Sequence, residues 1–310
     1  MISSIGYRLR ANRLDVRGPL ADALPAGLQD SAPRAAQLSL HARVAGLSVD
    51  GWADPSLRQL WGPRGAAYLV AAADWAVFTV GRLPRSAPDE LLAVADQVVA
   101  RLGADEVDPA LVMPSLGRDV LEIRELARSG RLAVRWDASR ITVRVVPAPS
   151  MDPVAAQREL GRRFIRVFGP TDVRAFTAWA RIPRADAIAT WRELADELVP
   201  VDGGHLLASY RHLWSDDHEV TGARLLPGED PLLRLDREVL VPDPAHRATL
   251  FPRHPTGVLR GAILVDGAIR GWWDRQGTRV HLHPFDGTSV AEATAEAWTL
   301  PVPGGVTSVD

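Results

Sequence analysis

The chain contains no cysteine and no lysine. Without cysteine there is no disulfide, no thiol nucleophile and no Cys-ligated metal. Without lysine, all 36 basic side chains are arginine, and no lysine Schiff base can form. A GC-rich coding background accounts for such arginine usage, but the chemical exclusion stands. Long apolar runs are missing too. No stretch approaches the 18 or more apolar residues of a membrane span, and residues 1–10 lack a signal-peptide core, so a cytoplasmic location is expected. There is also little excess of charge. A net charge of −2 argues against a strong non-specific nucleic-acid binder, whose affinity comes mostly from phosphate neutralisation.

The 310 residues, 46% of them hydrophobic, allow two or three small units with cores of ordinary globular composition. Charge is unevenly spread. Residues 1–200 hold 26 Arg against 23 acids, and residues 201–310 hold 10 Arg against 15 acids. The N-terminal part is therefore mildly basic, and any affinity for nucleic acid should be moderate and salt-sensitive.

Local patterns are clearest over 152–210. Asp152-Pro153 opens a helix with Val154, Leu160, Phe164, Ile165 and Phe168 on one side, stopped at Gly169-Pro170. Thr171 is positioned to cap a second helix through Trp179, and Pro183 starts a third carrying Ile188, Trp191, Leu194 and Leu198. LVPVDGGHLLAS then reads as a hairpin turning at Asp202-Gly203-Gly204. Three helices and a hairpin in that order make a winged helix-turn-helix. A second copy fits 86–146, with helices over 88–102 and 117–129 and a hairpin RLAVRW-DASR-ITVRVV. Residues 1–83 would be the first, with an Arg-rich helix (Arg8, Arg10, Arg13, Arg17) and a helix over 33–45. From about Leu206 short extended runs alternate with Gly and Pro, including a turn at Asp266-Gly267, an all-β pattern of barrel type. The expected fold is therefore α+β: tandem winged helix-turn-helix units over 1–85, 86–150 and 151–210, then a β-barrel-like domain over 211–310.

The segment GLQDSAPRAAQLSLHAR, Gly27 to Arg43, places a Gln in a short irregular stretch before an amphipathic helix. It resembles the motif of the AlkZ/YcaQ winged-helix DNA glycosylases, in which Gln-x-Gln or Gln-x-Asp precedes a Pro, an Ala-rich helix and an Ala-Arg pair. Gln29 matches the first position, and Ser31 stands at the third. WGPRGAAYLV resembles the family's Trp-x-x-Arg-Gly run, while DPAHRATLF (243–251), the Val-Asp-Gly turn and Gly271-Trp272 resemble the C-terminal β domain of one branch. The resemblance covers nearly the whole chain. It implies tandem winged helices followed by a β domain, and removal of alkylated or crosslinked purines from DNA.

Such a reaction passes through an oxocarbenium-like transition state. An alkylated purine is cationic and leaves without a strong acid, so the site must mainly orient water and set negative dipoles beside the sugar. A Gln side-chain oxygen does both. Gln29 fits that role. Ser31 can hydrogen-bond a water but is no base near neutral pH. Asp30 is a better base at a position that an extended segment points the other way, so it would need a kink. With no lysine, the chemistry should use water and preserve the strand. No cofactor and no metal are implied. The expected partner is double-stranded DNA carrying damage.

Arg8, Arg10, Arg13, Arg34, Arg43 and Arg64 are candidates for phosphate contact, a guanidinium fork suiting phosphate oxygens. Arg135, Arg140 and Arg144 make the 131–146 hairpin a candidate for reaching a groove. Arg181, Arg184 and Arg192 are interspersed with Asp186, Glu193, Asp196 and Glu197, which favours a scaffold role there. His281-x-His283 has a zinc-compatible spacing, but nothing completes a site, and His212, Asp216 and His218 read as surface residues. Trp75, Trp179 and Trp191 fall on apolar faces and read as core. Two alternatives to a glycosylase remain: a DNA-binding relative without the chemistry, favoured by Ser31, and a winged-helix module whose partner is protein.

Overall fold

Pro88 and Gly103 bracket a helix over Pro88–Leu102 in the computed structural model. Proline has no N–H to lose in a first turn, Asp89 and Glu90 complement the dipole there, and Gly103 leaves with φ 60°. The structure describes residues 4–32, 34–137, 139–214, 220–252, 259–285 and 288–310. The chain folds into two units. One comprises Gln29–Pro33 and Ala53–Ser209, and the other Met1–Leu28, Arg34–Trp52 and Tyr210–Asp310. Residues 1–28 and 34–52 thus group with the C-terminal part.

A three-stranded sheet has the order β1-β3-β2, formed by Leu28–Gln29 (β1), Leu57–Trp61 (β2) and Ala67–Ala71 (β3), of which Gln29, β2 and β3 belong to the first unit. β2 and β3 are antiparallel, with Leu57 opposite Ala71 and Trp61 opposite Ala67. The Pro88–Leu102 helix packs through Ala95, Val98 and Leu102 onto Leu132, Val134 and Val143 of a hairpin, Leu132–Trp136 (β4) with Ile141–Val145 (β5). The helix expected over 117–129 is broken. Asp119 and Glu122 form a capping box that starts a 3-10 turn, Val120–Glu122, and only Ile123–Leu126 is α-helical.

Helices follow over Pro153–Phe168, Val173–Ala180 and Arg184–Glu193, then a hairpin of Leu198–Val201 (β6) and Gly204–Leu207 (β7). Leu160, Phe164 and Ile165 are buried, whereas Val154 is exposed and Ala156 and Gln157 take the inward positions. Asp172, not Thr171, caps the second helix by accepting from the Ala175 N–H. The Thr171 backbone is committed instead to a reciprocal pair of hydrogen bonds with His205.

In the second unit the first helix, Ser4–Ala11, holds Arg8 and Arg10, but Arg13 turns away with φ 58° and Arg17 lies beyond. The helix expected over 33–45 spans Ala35–His41, because Arg34 before it is left-handed. Pro33 itself is outside the described residues. Five strands form a sheet in the order β12-β11-β10-β9-β8: Ala223–Leu226 (β8), Gly261–Val265 (β9), Ala268–Gln276 (β10), Arg279–Pro284 (β11) and Ser308–Val309 (β12). Asp266 and Gly267, both with positive φ, make the two-residue turn between β9 and β10. Leu225, Ile263, Trp273 and Val280 pack against Leu38, Ala293 and Ala297. Among the described residues this sheet is open, with β8 and β12 at its ends, so it is a half-barrel and not a closed one. Helices Arg237–Leu240, Pro244–Leu250 and Ala291–Ala297 interrupt the expected all-β run. Asp243 shows why: its carboxylate accepts from the Ala245 and His246 N–H groups and caps the helix that Pro244 begins.

Candidate active site

Gly27, with φ 68°, turns the chain into β1. From there the backbone is extended, and the Asp30 N–H donates to the Ala67 carbonyl at 2.8 Å. Successive side chains of an extended segment face opposite ways. Gln29 and Ser31 meet on one side, where Gln29 Nε2 donates to Ser31 Oγ at 3.1 Å. Asp30 turns to the other side and is 1% exposed, its Oδ2 accepting from Gln59 Nε2 at 3.1 Å. Asp30, the candidate substitute base, thus faces away from Gln29. No kink brings it round, and its carboxylate is a buried anchor.

Gln59 is the residue that sequence reasoning missed. It lies on β2, and its amide also grips the backbone of Trp136, accepting from the N–H at 2.8 Å and donating to the carbonyl at 3.0 Å. One side chain thus ties Asp30 to the end of β4. The available signal was faint: a single Gln in the alternating run LRQLW.

Gln29 itself is 9% exposed, and Ser31 is exposed. Donation from Nε2 to Ser31 directs Oε1 of the same amide away from the hydroxyl. An amide oxygen oriented in this way accepts a hydrogen bond from water and presents a negative dipole.

The candidate arginines divide by environment. Arg43 is buried and saturated: Nε donates to the Asn12 carbonyl, Nη1 to Ser39 O and Asp230 Oδ2, and Nη2 to Asp230 Oδ1. Arg8 is also buried, and burial lowers its pKa while Asp236 raises it. Both side chains, candidates for phosphate contact, lie in the interior. Arg10 spends its donors on the carbonyls of Gly6 and Leu213. Arg13 pairs with Asp22 at 3.0 Å, and Arg34 lies 3.5 Å from the centroid of the Trp52 ring. Arg64 is exposed on a turn of positive φ. Arg135 and Arg144 are exposed on one face of the β4–β5 hairpin, Arg135 opposite Thr142 and Arg144 opposite Ala133. Arg140, at the turn, donates its N–H to Asp137.

Among the described residues no group of three His, Asp or Glu side chains could hold a metal. His281 faces Asp310 at 3.6 Å, and His283 faces Asp274 at 3.1 Å while stacking on Trp272. His212 stacks on Tyr210. Asp216 and His218 lie outside the described residues. Among those described, no helix is long and apolar enough to cross a membrane.

The solved structure of the Streptomyces sahachiroi DNA glycosylase AlkZ is similar over 99% of this chain and 98% of that one, with a TM-score of 0.74 at 19% sequence identity. At that identity the likeness speaks for the fold. No curated protein matches the chain. The family described as "DNA glycosylase AlkZ-like" matches residues 23–298, a span that contains Gln29, Asp30, Ser31, Gln59 and the arginine-bearing hairpin. This chain belongs to the AlkZ-like DNA glycosylase family.

Proposed function

We propose that the protein is a monofunctional DNA glycosylase that hydrolyses the N-glycosidic bond of an alkylated or crosslinked purine in duplex DNA. The observation that carries this reading is the Gln29–Ser31 hydrogen bond. It presets the Gln29 amide so that Oε1 is the end available to water. Nucleophilic water held there would attack the anomeric carbon as the cationic purine departs as a neutral base, the water's proton passing to bulk solvent, and the amide dipole would favour the developing oxocarbenium ion. Ser31 acts here as the orienting partner of Gln29, and no proton transfer is assigned to it. The target base must be at least partly unstacked. No cofactor or metal is needed for this chemistry.

The order of three helices and a hairpin over 153–207 supports a winged helix-turn-helix reading. The exposed Arg135 and Arg144 support a hairpin that contacts the DNA backbone, with Arg64 as a further contact. The test is incubation with duplex DNA carrying N7-methylguanine. Free base should be released, the strand should break only on later alkali treatment, and borohydride should trap no covalent complex. Absence of base release, or strand cleavage without alkali, contradicts the reading. A second reading, a DNA-binding relative without the chemistry, is favoured by Ser31 standing where the family carries Gln or Asp. A silent wild type that gains base release through Ser31→Gln would establish it.

A further inference from the structure

Arg82 is 0% exposed, and among the described residues no carboxylate is bonded to it. Its Nε donates to the Ala180 carbonyl at 3.0 Å and its Nη1 to the Trp61 carbonyl at 2.9 Å. Nη2 is buried without a hydrogen-bond partner among the described residues. Around it stand two more guanidinium groups. Arg128 is buried, its Nε also unpartnered, with Nη2 paired to Glu125. Arg181, half-exposed on a left-handed residue, sets Nη2 at 3.7 Å from Glu125 and Nη1 at 3.4 Å from the Arg64 carbonyl. Arg64 extends an exposed side chain from the same turn.

The turn is shaped around Arg181. Gly65 has φ 69°, which favours glycine, and a Cβ there would displace the Arg181 guanidinium from the backbone. Among the described residues, Arg82, Arg128 and Arg181 thus share one carboxylate, Glu125. The carbonyl end of the Val173–Ala180 helix, which receives Arg82 Nε, contributes roughly half a negative charge, and the cluster stays strongly positive. Desolvation and the repulsion of Arg128 pull the Arg82 pKa down to about 9, with Glu125 opposing. Arg82 is still charged at neutral pH. Unbalanced buried charge is costly unless an anion arrives to offset it.

We propose that Arg64, Arg82, Arg128 and Arg181 form a phosphate-binding site, in which one phosphodiester of DNA docks on Arg64 and Arg181 above the buried Arg82 and Arg128. The assignment of DNA as the source of the phosphate rests on the proposed glycosylase reading. A guanidinium fork matches phosphate oxygens in shape and charge, and the two buried cations strengthen the field without being reached themselves. The sequence suggested a scaffold role for Arg181; its place beside Gly65 and Glu125 gives it a ligand.

The experiment is binding of undamaged duplex DNA to the full chain by fluorescence anisotropy across a salt series, with no base release required. Arg181→Gln and Arg64→Gln should weaken binding and lower the slope of log K against log salt by about 0.9 for each phosphate no longer neutralised. Arg101→Gln, an exposed arginine on the Pro88–Leu102 helix, should change neither. Glu125→Gln should act oppositely and tighten binding, a gain that misfolding does not produce. Slopes unchanged in both Arg variants, or no tightening in Glu125→Gln, overturn the proposal. Inorganic phosphate supplies the other arm. If it raises the melting temperature of wild type but not of Arg181→Gln while DNA slopes stay equal, the site takes a free anion and the DNA assignment fails. Since binding and base release are read separately, loss of the glycosylase reading leaves this result interpretable.

Discussion

Arg43 and Asp230, 187 residues apart, form a two-armed ion pair in the interior, Nη1–Oδ2 at 2.7 Å and Nη2–Oδ1 at 3.0 Å. Asp230 also accepts from the Leu232 N–H, capping the turn that follows it. Removing one partner leaves the other charge buried and unpaired. Arg43→Met should lower unfolding free energy by about 3–5 kcal/mol, read as a shift of the urea midpoint. Native stability combined with reduced DNA affinity would return Arg43 to the phosphate-binding set.

Gln59 predicts a different pattern. Its amide makes three hydrogen bonds, to Asp30 and to both backbone groups of Trp136. Gln59→Leu removes all three and should lower stability by about 1–3 kcal/mol, read as a shift of the urea midpoint. Gln59→Glu sets a second carboxylate against Asp30 and should be worse at pH 8 than at pH 5, where a shared proton relieves the repulsion. Equal melting temperatures for Gln59→Glu at the two pH values, each relative to wild type, would show that Asp30 does not feel residue 59.

His41 gives the chain a pH dependence. It is buried, and desolvation, reinforced by Arg17 and Arg224, lowers its pKa to about 4 despite its hydrogen bond with Thr299. Between pH 6.5 and 4 the unfolded chain takes up a proton at this residue that the folded chain refuses. Stability is therefore full above pH 6.5 and falls as the pH drops through that window. Glu296 faces the same imidazole at 3.5 Å, and burial raises its pKa, which gives the opposite slope. The comparison is thus between wild type and His41→Gln. From pH 7 to 4.5 wild type should lose about 2–3 kcal/mol more than the variant. Parallel pH profiles would contradict a neutral buried His41.

Elements that announce themselves by punctuation were legible in the sequence: Pro88 to Gly103, Asp152 to Gly169, and the Asp202-Gly203 and Asp266-Gly267 turns. The break in 117–129 was not, because Val120, Ile123 and Leu126 keep a helical spacing that the Asp119 capping box overrides. At the site, strand alternation alone separates Gln29 and Ser31 from Asp30. Gln59 was invisible because its partners come from 29 and 77 residues away. Arginines looked alike in sequence. Only the fold divides the saturated Arg43 from the exposed Arg144 and from Arg82, whose buried Nη2 has no hydrogen-bond partner among the described residues.

The central claim is that Gln29 orients the attacking water. Its most direct measurement is single-turnover release of N7-methylguanine from duplex DNA by wild type and by Gln29→Ala, with unfolding and DNA affinity checked on both proteins. The account predicts release by wild type and a loss of about 100-fold or more in Gln29→Ala, as for removal of a preorganised polar group at a reacting centre, with folding and affinity retained. Equal rates in the two proteins would contradict it.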